Sequence, residues 1–462
     1  MSNAPTGGRE GSLEAPTRHP IDWRNPDFYN QAALTKELDR VFDICHGCRR
    51  CFSLCQSFPT LFDAIDATAS GELEAVEKKA YWEVVDHGYL CDMCFMTKCP
   101  YVPPHPWAVD FTHLMLRAKA TRARQQGFSI RDRVLASTEA VGRIAGIPVV
   151  AEVVNAVNRF GPARALLEKT LGIAHDAPLP QFHARTARSR LSGLNGPLAA
   201  AAGPIPAARE EIRGRVALFT TCYGNRNEPD LATDLVAVFT HNDIAVRLVP
   251  KERCCGMPRL ELGDLQTVAA YKEENIPQLL AVIGAGFDIV APIPSCVLMF
   301  KQELPLMFPE DADVKAVAAR IYDPFEYLML RHKTGQLKTE FKTSLGKVSY
   351  HVPCHLRVQN IGLKTRDLLR LVPDTTVEVI ERCSGHDGTY AVKQEFRAAS
   401  VKIGGPVATR VQNAAPGHYT SDCPMAGHQI QSLLPEGTAS ASAASLGGPE
   451  HPLKLLRLAY GI

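Results

Sequence analysis

Half of the fourteen cysteines in this 462-residue chain fall in two short runs. In Asp43-Ile-Cys-His-Gly-Cys-Arg-Arg-Cys-Phe-Ser-Leu-Cys55, the residues Cys45, Cys48, Cys51 and Cys55 stand at C-x2-C-x2-C-x3-C. This is the spacing at which three thiolates wrap one iron–sulfur cubane while the fourth turns away to a second cluster. A structural zinc site more often uses two C-x2-C knuckles. Disulfide frameworks belong to small exported domains, and the first ten residues here show no apolar signal segment.

The second run, Leu-Cys-Asp-Met-Cys-Phe-Met-Thr-Lys-Cys-Pro100, places Cys91, Cys94 and Cys99 at C-x2-C-x4-C-P. Proline after the last cysteine turns the chain away from the site. Three residues before Cys91, where a fourth cysteine is expected, stands Gly88. The exchange rule of two-cluster ferredoxins then gives cluster I, a [4Fe-4S] centre, to Cys45, Cys48, Cys51 and Cys99. Cluster II takes Cys55, Cys91 and Cys94 and is one thiolate short. It is either a [3Fe-4S] centre, a [4Fe-4S] centre with a non-cysteine ligand for which His87 is the nearest candidate, or a labile site. Next to that, His87 has the plainer reading of a structural histidine.

The remaining cysteines form two similar sets. One is Cys222, Cys254-Cys255-Gly256 and Cys296; the other is Cys354, Cys383-Ser384-Gly385 and Cys423. The steps are 32 and 42 residues in the first set and 29 and 40 in the second. A Cys-Cys-Gly turn can offer two sulfurs to one face of a cluster, with glycine allowing close backbone approach. The bland alternative is buried core cysteines. Ser384 weakens the second set; His355 and His386 lie beside it as candidate ligands or proton carriers, or as ordinary loop histidines.

These side chains need elements to hold them. Apolar positions Ala33, Leu34, Leu38, Val41 and Phe42 predict a helix over 32–42 leading into the first cysteine run. Residues 61–86 and 107–190 also read as helical, with Val149, Val150, Val153, Val154 and Val157 forming one face expected in the core. After residue 214, short apolar runs at 216–220, 245–249, 289–291, 350–352, 376–380 and 419–421 alternate with helical stretches such as 231–240 and 265–275, a pattern of largely parallel α/β layers. Both cysteine sets follow predicted strands, and sites in such sheets form at the carboxyl ends of the strands. The expected fold is α plus α/β: a disordered tail (1–20), a helical two-cluster ferredoxin-type domain (21–190), a linker (191–213), and two duplicated α/β cysteine-rich domains (214–340 and 341–462). An Ala/Ser/Gly-rich loop is expected at 439–448 and a short docking helix at 453–458.

With both halves in view, the chain resembles the heterodisulfide-reductase-related iron–sulfur oxidoreductases. The resemblance runs over about residues 40–430 and is carried by the two cysteine runs and the paired Cys-Cys-Gly (CCG) sets. It implies a helical ferredoxin module exchanging electrons with CCG domains, in which some relatives hold non-cubane four-iron clusters. The full CCG pattern ends in C-x2-C. Here Met299 and Ala426 stand at the last positions, so an ordinary electron-transfer cluster on Cys222, Cys254, Cys255 and Cys296 is the expectation.

Composition narrows the function. A formal charge of +2 argues against a broad nucleic-acid face, and no apolar run reaches the roughly 18 residues of a transmembrane helix. Gly284-Ala-Gly286 is too short to be a dinucleotide fingerprint, so hydride chemistry is expected on another chain. The reading is an iron–sulfur electron-transfer oxidoreductase between a flavoprotein dehydrogenase, or another redox protein, and a quinone or redox-protein acceptor. It is expected in the cytoplasm, at the inner membrane face through a partner. The alternatives are a stand-alone disulfide or thiol reductase at the CCG cleft, a non-catalytic redox sensor, and a zinc scaffold.

Overall fold

The computed structural model describes residues 16–196, 209–434 and 449–462. The start of the expected tail, the middle of the expected linker and the loop expected at 439–448 lie outside them. The chain divides into two compact units. One comprises residues 1–129 with 259–265 and 306–309; the other holds 130–258, 266–305 and 310–462.

The first unit is helical. Helix α1 (Gln31–Cys48) starts where the Asn30 side chain accepts a hydrogen bond from the Ala33 N–H at 3.0 Å. It buries Leu34, Leu38, Val41 and Phe42, one stripe at helical spacing. It ends at Arg49, whose φ of 51° reverses the chain after Cys48. Helix α2 (Ser57–Asp66), two short 3-10 turns, α3 (Tyr81–His87) and α4 (Phe111–Gln126) complete a core that includes Phe58, Phe62, Val85 and Met115. Each large side chain buried here contributes about 2–3 kcal/mol. The cysteines sit at the edge of this core, with Cys45, Cys51, Cys55 and Cys99 packed against it. Near the N-terminus, the Arg18 guanidinium donates to Asp92 and Asp110 at 2.7–2.9 Å, so the end of the expected tail is tied down.

The second unit opens with helices α5 (Ile130–Ala136), α6 (Thr138–Ala145), α7 (Val150–Arg159) and α8 (Gly161–Leu171). The valine face expected in the core is not there. Val149, Val153 and Val157 are exposed, and α7 buries Ala151 instead. Periodicity identifies an apolar face but not what covers it.

Two parallel sheets follow. Strands β1 (Arg215–Leu218), β2 (Ala245–Leu248), β3 (Asp288–Val290) and β4 (Ile321–Tyr322) form one in the order β2-β1-β3-β4. Strands β5 (Gly346–His351), β6 (Thr375–Ile380) and β7 (His418–Ser421) form the other in the order β6-β5-β7. Every pairing is parallel, for example Val216↔Val246 and Val348↔Val377. Val216 and Ala217, and Val348 and Ser349, neighbours that point to opposite faces, are fully buried, as strands covered on both faces must be. In each sheet the first strand lies inside and the next two flank it. The loops leaving it therefore diverge, the arrangement that opens a crevice at the carboxyl ends.

Candidate functional site

Cys45 and Cys48 lie in the last turn of α1, and Cys51 and Cys55 follow its reversal. Cys94 opens a π-helical turn (Cys94–Lys98) that Cys99 closes. Cys45, Cys48, Cys51 and Cys99 line one cavity of about 310 Å³, counted to its open mouth, together with Ile44, Phe58, Phe62, Pro100, Tyr101 and Val109. This brings together the four residues assigned to cluster I. Among the described residues, no three His, Cys, Asp or Glu side chains close on one point as a single metal ion requires.

Burial first, then the neighbouring thiols, push Cys45 and Cys51 far up; burial also raises Cys94 and Cys99. Crowded buried thiols resist ionisation unless a cationic centre holds them as thiolates. The donor set therefore fits an iron–sulfur core.

Of the cluster II set, Cys94 lies 3.4 Å from the Thr112 hydroxyl and feels Cys51 of the cluster I set first, and then Cys55, electrostatically. The missing fourth cysteine has a physical explanation. A Cβ at Gly88 would stand 2.7 Å from Met115 Cγ, so α4 fills the space a cysteine side chain would take. Beside it, 3.4 Å from that Cβ position, the fully buried Ser57 hydroxyl has no hydrogen-bond partner among the described residues. Burial lowers the His87 pKa, and the charges acting on that imidazole are Asp86, Glu83 and Lys119. Asp92, between Cys91 and Cys94, is fixed by Arg18, which also lies 4.5 Å over the Phe95 ring. Burial opposes the ionisation of Asp110, yet Arg18 and His113 hold that carboxyl well below the usual range.

In the second unit, Cys222 begins a short helix after β1, Cys254 and Cys255 follow β2, and Cys296 follows β3 in helix Pro294–Leu298. Cys354 follows β5, Cys383 follows β6, and Cys423 caps helix Pro424–Ser432 after β7. All seven thus occupy carboxyl ends of parallel strands.

The first set is tightly knit. Cys222 Sγ donates to Cys254 Sγ at 3.8 Å, and Cys255 interacts with Cys254 and Cys296. The Cys254 thiol is held well below its usual range, because the Cys222 and Cys255 thiols and the Gly256 N–H all donate to it. Gly256 has φ 101°, and Met299, fully buried, brings its methyl to 3.6 Å from where a Cβ would be. Met299 thus packs over the turn in place of a fifth cysteine. Asn275 clamps the loop, accepting from the Arg253 N–H at 2.8 Å and donating to the Cys254 carbonyl at 3.2 Å.

Sequence reasoning missed two residues of this site. The Thr138 hydroxyl, at the start of α6, donates to Cys222 Sγ at 3.2 Å and lies 3.6 Å from Cys254 Sγ. Glu139 accepts from the Cys254 N–H at 3.2 Å and pairs with Arg253. Both lie some eighty or more residues before the cysteines, and no local motif marks them. The Ser/Thr-Glu pair opening an apolar helix was the one available signal.

The second set is sparser. Burial, Asp387 and the Cys383 and Cys423 thiols push Cys354 up; burial pushes Cys423 up to about 11. Ser384 is buried and its hydroxyl accepts from the His386 N–H at 3.4 Å. Burial, then His428 and His355, push His386 down to about 4, and its Nε2 has no hydrogen-bond partner among the described residues. A buried unpartnered imidazole nitrogen three residues after Cys383 is compatible with a ligand role. The two sets adjoin. Gln359 donates to the carbonyls of Pro294 and His355, 3.2 and 3.0 Å away, and Cys423 feels Cys296 electrostatically.

Comparison with known proteins agrees with this geometry. The profile of the Cysteine-rich domain (CCG) family matches residues 216–301 and 348–420, which hold six of the seven cysteines of the two sets, all but Cys423. The chain is 28 % identical over 306 residues to a subunit of the anaerobic glycerol-3-phosphate dehydrogenase of Escherichia coli, covering 66 % of this chain and 73 % of that one. It is 25 % identical over 264 residues to a subunit of the fumarate reductase (CoM/CoB) of Methanothermobacter marburgensis, covering 56 % and 49 %. It is 24 % identical over 232 residues to an uncharacterized iron–sulfur protein of Methanocaldococcus jannaschii, covering 50 % and 43 %. The CCG profile thus matches a segment in each of the two parallel-sheet halves, and the chain is similar to subunits of a dehydrogenase and of a reductase and to an iron–sulfur protein.

Proposed function

We propose that this chain is an iron–sulfur electron-transfer subunit, taking electrons from a flavoprotein dehydrogenase and passing them to a quinone or a redox-protein acceptor. The observation that carries the reading is the convergence of Cys45, Cys48, Cys51 and Cys99 on one cavity among buried aromatic side chains. These four would hold a [4Fe-4S] cluster. Cys55, Cys91 and Cys94 would hold a second, three-thiolate cluster, with Ser57 and Met115 shaping its open side. Cys222, Cys254, Cys255 and Cys296 would hold a further one. Bound clusters of this kind supply one-electron transfer.

The chain's own residues set the conditions for that transfer. Phe58, Phe62 and Val109 exclude water from the cavity, and the Thr138 hydroxyl is aimed at a ligand sulfur. Hydrogen bonds to sulfur and exclusion of solvent both tune the potential. The matching strand orders and cysteine placements support an origin of the two sheet halves by duplication. The relatives named as subunits of a dehydrogenase and a reductase support a partner chain. Met299 and Ala426, both buried, stand where the full pattern has cysteine, which favours simple electron transfer over disulfide cleavage at the CCG sites.

The test is a reductive titration of anaerobically purified protein, followed by EPR, with iron and acid-labile sulfide assayed on the same sample. About eight irons or more per chain, matched by sulfide and by EPR signals that respond to dithionite, is the expected result. Zinc, or iron without sulfide, contradicts the reading.

A further inference from the structure

Between Thr138 and Leu171 the chain presents an apolar surface that no core residue covers. Ile144, Ile147, Val149, Val153, Val157 and Phe160 are 39–68 % exposed. Such a contiguous apolar face marks an interaction site. Helices α6 and α7 bury only small residues, Gly142, Ala145 and Ala151, and turn Ile144, Val153 and Val157 outward. The two helices together are as hydrophobic as a membrane span, but they meet at 108°. At eight and ten residues they are about 12 and 15 Å long, well short of the roughly 30 Å of a bilayer core. A bent, short, amphipathic pair lies along an interface and does not cross it.

The charges on this surface indicate which interface. From Ala140 to Leu171 the exposed ionisable side chains are Arg143, Glu152, Arg159 and Lys169, three cations to one carboxylate. A second copy of the chain would bring these cations against themselves. An anionic lipid surface complements them. We propose that the face formed by α6, α7 and the start of α8 docks directly on a membrane with anionic headgroups. Val149, Val153 and Phe160 insert at the acyl boundary, and Arg143, Arg159 and Lys169 meet the headgroups. The docked surface is continuous with the first cysteine set, because Thr138, which donates to Cys222, begins the same helix that ends in exposed Ile144. The inference goes beyond the electron-transfer reading and does not require clusters, since every group it uses is a side chain of α6–α8.

The experiment is co-sedimentation of the full chain, with and without bound iron, with vesicles of phosphatidylcholine alone and of phosphatidylcholine mixed with phosphatidylglycerol. Binding to the anionic vesicles is expected to exceed binding to the neutral ones by about tenfold and to weaken as salt is added. Val153→Asp with Phe160→Asp should weaken binding by about tenfold or more. Arg143→Gln with Arg159→Gln should remove the preference for anionic lipid. All four positions are exposed, and an unchanged circular-dichroism melt verifies folding; Val149→Glu serves as a second apolar-face variant. Three results overturn the proposal: no sedimentation with either vesicle, binding indifferent to Val153→Asp/Phe160→Asp and to Val149→Glu, or a concentration-dependent dimer that these variants abolish. Protein that is purified with zinc, or with iron but no sulfide, and still sediments with the anionic vesicles would count against the electron-transfer reading alone.

Discussion

The two sheet halves place cysteines at the same strand ends but hold them by different means. In the first, four thiols are linked to one another, and the Cys-Cys-Gly turn has room around it: a Cβ at Gly256 would meet Val268 and Met299 only at 3.5 and 3.6 Å. In the second, the turn is pinned by backbone. A Cβ at Gly385 would stand 2.2 Å from the Ser400 carbonyl, and one at Gly404 would stand 2.3 Å from the Ser384 carbonyl. The long helix Gln394–Ala414 is pressed onto the second loop through two glycines. The first loop is therefore organised around its sulfurs, and the second around a helix. Four thiols with a sulfur-directed hydroxyl suit a resident cluster, whereas three thiols with Ser384 and His386 suit a weaker or different occupant.

The comparison breaks most visibly in stability. Gly385→Ala adds a backbone clash to a left-handed residue at φ 74° and should cost about 3 kcal/mol or more. Gly256→Ala meets only the conformational strain, about 1–2 kcal/mol. Urea midpoints of the two variants measure this, and equal losses would remove the distinction between the loops.

Acid should separate the halves next. His351 ends β5 three residues before Cys354, where the first half has buried Phe219 three residues before Cys222. Burial lowers the His351 pKa to about 4, with Nδ1 against the Ser421 hydroxyl and Nε2 donating to the Arg382 carbonyl. An unfolded histidine titrates near 6.5, so below that pH the unfolded chain binds a proton that the native one does not. Stability is complete above about pH 6.5 and falls by about 3 kcal/mol as the pH drops to 4. Thermal melts of wild type against His351→Phe should show the variant keeping more of its stability over that window; parallel pH profiles would contradict this. The smallest effect is electronic. Thr138→Val removes a hydrogen bond to Cys222 Sγ and should move the potential of the first CCG site to a more negative value without altering the signals of the Cys45 site. An unmoved potential would leave Thr138 a packing residue only.

The strands that carry the cysteines were legible where apolar runs mark them, as at 216–220 and 376–380; the run at 350–352 met only the end of β5, because Lys347 and Ser349 interrupt its apolar residues. The two-residue β4 is too short to leave a pattern. The Cys45, Cys48, Cys51, Cys99 grouping follows from spacing alone, because a helix end and a proline turn are local features. What spacing cannot show is long-range. The helical pattern of 107–190 runs on without a break, yet residues from 130 onward pack in the second unit, and Thr138 and Glu139 reach Cys222 and Cys254 across more than eighty residues. Met115 filling the place beside Gly88, and the valines of α7 facing outward, are likewise outcomes of packing that periodicity leaves open.

The most direct test of the difference between the halves is iron and acid-labile sulfide per chain in anaerobically purified wild type, Cys255→Ser and Cys383→Ser, each with EPR of the reduced form. Cys255→Ser should lose about four irons with matching sulfide and one set of signals, and Cys383→Ser should lose less iron and retain those signals. Equal losses from the two variants, or no loss from Cys255→Ser, would contradict a cluster-holding first site.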